Sequence, residues 1–163
     1  MHILMIAPQP FFEPRGTPFS EYHRLRALSA MGHTVDFVTY PFGEDREIPG
    51  VRIIRTARPP FIHRVRIGPS WAKVPLGLLL GWTTLRVGLS GRYDAVHSHE
   101  EGGAIGVVMA WLLGVPHLYD MHSSLPQQIS NFGYGKQQWM ARVFDWLEDR
   151  KSTRLNSSHV SES

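Results

Sequence analysis

The sequence predicts an α/β fold: a parallel sheet with helices on both faces. Two observations carry this. Apolar runs of strand length alternate along the chain with segments of helical periodicity, and the runs are apolar at consecutive rather than alternate positions. A strand that is apolar on both faces has to be covered on both, and helical crossovers between parallel strands provide that cover.

Residues 2–7 form the first such run. A Pro/Gly-rich loop follows over residues 8–17, and Thr17-Pro18 reads as a helix start, a hydroxyl N-cap followed by proline where no amide is needed. Tyr22, Leu25, Leu28 and Met31 recur at helical spacing, and Gly32 supplies the stop. Residues 34–40, rich in β-branched and aromatic side chains, make a second strand. A turn-like stretch over 43–50 leads into a third at 51–56. After a proline-punctuated loop to residue 69, a helix is expected over 70–89, a strand over 93–98 and a helix over 102–113 ended by Gly114. A strand is expected over 115–121. Beyond a loop at 123–135, residues 136–150 have amphipathic spacing, with Trp139, Val143, Trp146 and Leu147 on one side. This is a Rossmann-like order, in which ligands bind beyond the carboxyl ends of the strands. The loops to inspect are therefore 8–17, 98–103 and 120–126.

At 163 residues the chain is long enough for one domain with a core and too short for two. The first domain is read as residues 1–150. Residues 151–163 are polar and aperiodic, and they resemble a translated sequencing-adapter tail; they are expected to be disordered and foreign to a natural chain that continues past Arg150. The absence of cysteine excludes a disulfide framework and cysteine-ligated zinc, and fits a reducing cytoplasm. The apolar start, without a basic n-region or a cleavage site, reads as a buried strand.

Charge is unevenly spread. Between residues 51 and 92 stand Arg52, Arg55, Arg58, Arg64, Arg66, Lys73, Arg86 and Arg92, with no Asp or Glu. They surround an apolar segment, residues 74–89, which is shorter than the ~20 residues a spanning helix needs. Two readings stand: a core helix with solvated arginines, or a basic, apolar face for an anionic membrane surface. On the second reading Arg64, Arg66, Lys73, Trp82 and Arg86 face the membrane, and the chain sits peripherally at the inner face of the plasma membrane. Nucleic-acid binding is not expected, since the stretch lacks a recognition motif.

Three sites hold residues suited to chemistry. In the first loop Arg15, Gly16 and Thr17 precede a helix N-terminus, where outward amides and the dipole favour an anion and a glycine permits close approach. A plain turn glycine explains Gly16 equally, and the three-glycine dinucleotide fingerprint is absent. The second site is His97-Ser98-His99-Glu100-Glu101, at a strand end. His97 and His99 point the same way on a regular strand; His97 is expected to be packed and hydrogen-bonded, with His99 and Glu100 further out toward a ligand. The third site, Asp120-Met121-His122-Ser123-Ser124, ends the following strand. Such a set serves sugar transfer, where imidazoles and carboxylates bind hydroxyls and amides hold charge on a leaving diphosphate. It also serves a metallohydrolase with His97, His99, Asp120 and His122 as ligands. A non-catalytic phosphate- or nucleotide-binding module is a third reading.

At these residues the sequence resembles the amino-terminal domain of the family 4 retaining glycosyltransferases of GT-B fold. The likeness covers residues 1 to about 150. It rests on a first strand with a Gly-containing loop and helix, on Ala-Met-Gly-His-Thr-Val-Asp-Phe-Val, on Tyr-Asp-Ala-Val-His-Ser-His-Glu, and on Leu-Gly-Val-Pro-His-Leu-Tyr-Asp-Met-His, in that order. The resemblance implies that Gly16 lies beside the donor diphosphate or acceptor, that His99 and Glu100 line the cleft, and that His122 acts at the transferred sugar as the catalytic residue. Arg15, Thr17, Asp120 and Ser123 complete the donor- and acceptor-binding set. Where the family often has paired glycines in the first loop, this chain has Arg15-Gly16. The resemblance further implies a nucleotide-sugar co-substrate with no other cofactor and no metal, and a glycan or lipid-linked acceptor. It also implies a separate carboxy-terminal donor-binding domain with a spaced glutamate pair, without which the chain is expected to be inactive.

Overall fold

The computed structural model describes residues 1–13, 16–63 and 71–120. The readings placed on Arg15, Arg64, Arg66, His122, Ser123, the 123–135 loop, the 136–150 helix and the 151–163 tail lie outside these residues.

Five strands form one parallel sheet: β1 (His2–Ala7), β2 (Thr34–Thr39), β3 (Val51–Arg55), β4 (Ala95–His99) and β5 (His117–Asp120), in the order β3-β2-β1-β4-β5. Helices α1 (Gly16–Ala30), α2 (Lys73–Ser90) and α3 (Gly103–Leu113) make three of the crossovers, and a 3-10 turn, Glu100–Gly102, precedes α3. The chain builds outward from β1 in one direction and then from β4 in the other. The switch point therefore falls between β1 and β4, with Ile6 opposite Ser98 in register.

Strand alternation divides the core in two. Leu4, Ile6, Val38, Tyr40 and Val96 meet Leu76 and Leu80 of α2 and Met109 and Ala110 of α3. Ile3, Met5, Ala7, Val35 and Phe37 point the other way, onto Leu25 of α1 and onto Phe11, Phe12 and Ile48. Each fully buried Leu or Ile of these layers stabilises the fold by roughly 1.5–3 kcal/mol. At the amino-terminal edge of the sheet Asp36 accepts from Arg52 at 2.8 and 2.6 Å and from the Tyr93 hydroxyl at 2.6 Å. Burial opposes ionisation of Asp36, but these donors and the nearby His2 outweigh it, and its carboxyl lies below the usual range.

The elements follow the sequence reading with small shifts. Helix α1 starts at Gly16, one residue before the expected Thr17 cap, and Gly16 has a left-handed φ of 57°. Helix α2 starts at Lys73 rather than residue 70, and β4 runs one residue further, through His99. Gly114 ends α3 in the left-handed conformation, its amide reaching back to the last turn. Two packing expectations fail. Met31 is 70% exposed, just past the end of α1, while Leu25 is buried and Tyr22 and Leu28 pack against the core as their spacing predicts. Lys73 does not face outward: its ammonium donates to Glu101 at 2.6 Å, and the side chain is largely covered.

Candidate functional site

The alternation that builds the core also sorts the polar residues at the carboxyl edge. His97 and His99 of β4 and Asp120 of β5 point to the α1 side, where Glu21 and Arg24 meet them. Ser98 and His117 point to the α3 side and hydrogen-bond at 2.8 Å. Gly106 of α3 lies over that pair so closely that a Cβ would come within 2.6 Å of Ser98 Oγ.

On the α1 side the two imidazoles stand with ring centroids 4.5 Å apart, as their i, i+2 spacing on a regular strand requires. Arg24 holds the far end. Its guanidinium pairs with Asp120 and lies 3.4 Å from Nδ1 of His99. An arginine only donates, so in the contact with Arg24 it is Nδ1 of His99 that accepts. Asp120 Oδ2 is 3.5 Å from the same Nδ1, and Glu21 Oε1 is 3.7 Å from it. Glu21 is wholly buried. Burial pushes its carboxyl up to about 8; Glu100 and Asp120 push the same way, against Arg24 and the Gln9 amide, which closes no hydrogen bond of good geometry. Glu21 is thus neutral at pH 7. His97 moves down to about 4, first by burial, then by the charge of Arg24 and by His117. His97 is packed as expected, and its Nε2 has no hydrogen-bond partner among the described residues.

His99 also differs from expectation. It was placed one step further out than His97, toward a ligand, yet it is fully buried. The strand continues through it, and the chain then turns over it at Glu100, whose φ of 44° is left-handed. A non-glycine residue held there costs roughly 1–3 kcal/mol, and such strain gathers at ligand sites. Glu100 is half-buried and accepts from Thr17 Oγ1 at 3.3 Å, which joins the first and second loops directly. Gly16 beside it is exposed, with open space where a Cβ would stand. Gly16, Thr17 and Glu100 therefore form the outer layer, and His99, His97, Glu21, Asp120 and Arg24 the layer beneath. To one side Tyr40, raised by burial and then by the charge of Glu101, lies near the Glu101–Lys73 pair.

His97, His99 and Asp120 offer ligand atoms within 4.8 Å of one another, the outline of a metal site. The guanidinium on Asp120 works against it, since a fixed cation there repels a second one. The chemistry open to this set is the binding of hydroxyls and anions. Sequence reasoning missed Glu21, Arg24 and Gln9. The one signal for the first two was their spacing: Glu21 stands four residues before Leu25 and seven before Leu28, on the stripe that faces the sheet.

A search of curated protein sequences finds no match. Among solved structures the chain is similar to CalG4, the calicheamicin glycosyltransferase, with a TM-score of 0.53 and 15% identity, over 91% of this chain and 42% of that one. It also matches a ugt transferase from Siraitia grosvenorii in complex with UDP, at TM-score 0.48 and 15% identity, over 85% of this chain and 30% of that one. The chain thus spans less than half the length of either. The profile of the glycosyl transferase 4-like domain matches residues 22–160, most of the chain. With its parallel sheet, its switch point and the polar cluster beside it, this chain belongs to the glycosyl transferase 4-like domain family.

Proposed function

We propose that the chain forms the amino-terminal, acceptor-side wall of a retaining glycosyltransferase. That enzyme moves a sugar from a nucleotide-sugar to a lipid-linked, polysaccharide or small-molecule acceptor, and a carboxy-terminal domain supplies the donor-side wall. The observation that carries this is the position of the polar cluster: in a glycosyl transferase 4-like domain, it lies at the carboxyl ends of β4 and β5 and the start of α1, next to the switch point. In the transfer, the bond from the anomeric carbon to the diphosphate oxygen breaks and the diphosphate takes the electron pair. The acceptor oxygen bonds to that carbon, and its proton passes to the departing diphosphate. The start of α1, where Gly16 is exposed with open space beside it, suits the charge that develops on the diphosphate. Thr17 and Glu100 offer a hydroxyl and a carboxylate to sugar hydroxyls. Arg24, by pinning Asp120, fixes the strand end two residues before His122, the residue assigned to the transferred sugar.

A single wall leaves the reacting groups unpositioned, so the chain alone is expected to be inactive. Nucleotide release from a panel of nucleotide-sugars, with and without acceptor, tests this on the chain and on the chain continued into a carboxy-terminal domain. The expected result is turnover by the longer protein only, reduced roughly 100-fold or more by His122→Ala. Turnover by the 163-residue chain at rates typical of whole enzymes overturns the half-site reading. Metal-dependent hydrolysis without transfer replaces it with the hydrolase.

A further inference from the structure

Helix α2 is apolar on both sides. Its inner side, Leu76, Leu80, Thr84 and Gly88, is buried against the sheet and α3. Its outer side carries Val74, Leu78, Trp82 and Leu89 at helical spacing, with Trp71 just before the helix on the same line. Leu78 is 73% exposed, Trp82 60% and Trp71 87%. A helix that is hydrophobic all round is ordinarily buried, and among the described residues none covers this side. The surface continues onto α3, which packs alongside, with Gly88 against Met109. There Val107, Val108 and Trp111 are exposed, and α3 has no charged residue.

We propose that this outer face of α2 and α3 docks on an anionic lipid bilayer. The association is peripheral: no helix among the described residues is long and apolar enough to cross a membrane. Charge selects this occupant. Arg86 is exposed on the α2 stripe, and neither helix contains an acidic residue. Lys73, the other cation of α2, is neutralised by Glu101. A second copy seated on this face would bury Arg86 against a surface with no counter-charge, which is costly. Anionic headgroups supply that charge while the arginine stem lies along the apolar surface. Tryptophans on both helices suit the headgroup boundary, where one part of the ring is apolar and the other wet.

The test is co-sedimentation of the 163-residue chain with vesicles of phosphatidylcholine alone or with added phosphatidylglycerol. Binding is expected to be stronger on the anionic vesicles and to fall with salt. Arg86→Ala is expected to weaken it about fivefold on those vesicles and to leave neutral vesicles unchanged. Leu78→Ser with Trp82→Ser is expected to abolish it on both; these side chains are exposed, so an unchanged circular dichroism spectrum shows the variant folds. Equal binding to both vesicles, or no vesicle binding with self-association that the double variant relieves, overturns the proposal. Vesicle binding is read without any sugar, so its failure is separable from failure of the transferase reading.

Discussion

Oε1 of Glu21 lies 3.7 Å from Nδ1 of His99, with both side chains sealed from solvent. A carboxylate at full charge in that position lacks water to solvate it, and the same Nδ1 is already faced by Arg24 and Asp120. Holding Glu21 neutral removes the desolvation cost and keeps net charge at the strand ends low. The folded chain therefore retains a proton that the unfolded chain gives up near 4.5.

This fixes the sign of a pH effect. Between about 4.5 and about 8 the unfolded state loses the Glu21 proton and the folded state keeps it, so the contribution of Glu21 to stability falls as pH rises, by up to ~1.4 kcal/mol per pH unit. Above that window the loss is complete. Glu21→Gln, which is neutral at every pH, is expected to remove this decline and to be more stable than the parent at pH 8. Urea unfolding midpoints at pH 5, 6.5 and 8 measure it, and an unchanged slope would sink the idea.

His97 works from the other side. Its folded value of about 4 against an ordinary 6.5 means the unfolded state binds the extra proton first, so stability is lost as pH falls through that interval. Between 4.5 and 6.5 the two slopes oppose and largely cancel, giving a plateau bounded above by Glu21 and below by His97. His97→Asn is expected to remove the acid limb and to turn the plateau into a decline that runs from about 4.5 to about 8. Thermal melts from pH 4 to 8 on both single variants separate the two limbs.

The frame was legible in the sequence because consecutive apolar residues in 2–7 and 34–39 leave a strand no solvent face, and Gly32 and Gly114 mark helix ends by backbone freedom alone. The cluster was only half legible. His97, His99 and Asp120 announce themselves by residue type at strand ends. Glu21 and Arg24 are charged residues within a helix, a type that usually faces solvent, and only the sheet's polar edge makes that face an inner one. Of the four apolar residues at helical spacing, Leu25 is buried and Tyr22 and Leu28 pack against the core, while Met31 is exposed and the charged Glu21 is buried in the stripe. His99 was placed too far out for a related reason: strand periodicity says which way a side chain points, but not that Glu100 will fold over it.

Arg24 is the one cation that touches both β4 and β5 side chains in this cluster among the described residues. Replacing it with Gln removes the guanidinium that pairs with Asp120 beside the buried imidazole of His99. For a partly covered pair the expected loss is about 1–3 kcal/mol, between exposed and buried ion pairs. Arg24→Lys keeps the charge but not the planar guanidinium whose Nη1 faces both His99 and Asp120, and is expected to recover only part of it. Denaturant unfolding of the two variants ranks them; equal stability of Arg24→Gln and the parent would show that the pair does not hold the strand ends together.

The opposite face of the same strand ends gives a prediction with a different cause. Gly106 allows α3 to approach β4 and β5 so that Ser98 and His117 close their hydrogen bond beneath it. A methyl group at residue 106 meets Ser98 and the His117 ring at less than van der Waals distance. Helix propensity alone favours alanine there by up to ~1 kcal/mol, so the two effects oppose. Overpacking in a closed layer costs about 1–3 kcal/mol, and the contact involves both partners of a hydrogen bond, so the clash wins. Gly106→Ala is expected to lower stability by roughly 1–2 kcal/mol after this offset. Gly77→Ala on α2, where no atom lies within 4 Å of the added carbon, is expected to be neutral or stabilising. If the two alanines shift the unfolding midpoint alike, propensity rather than close approach governs Gly106, and the seating of α3 on the strand ends is looser than the Ser98–His117 contact implies.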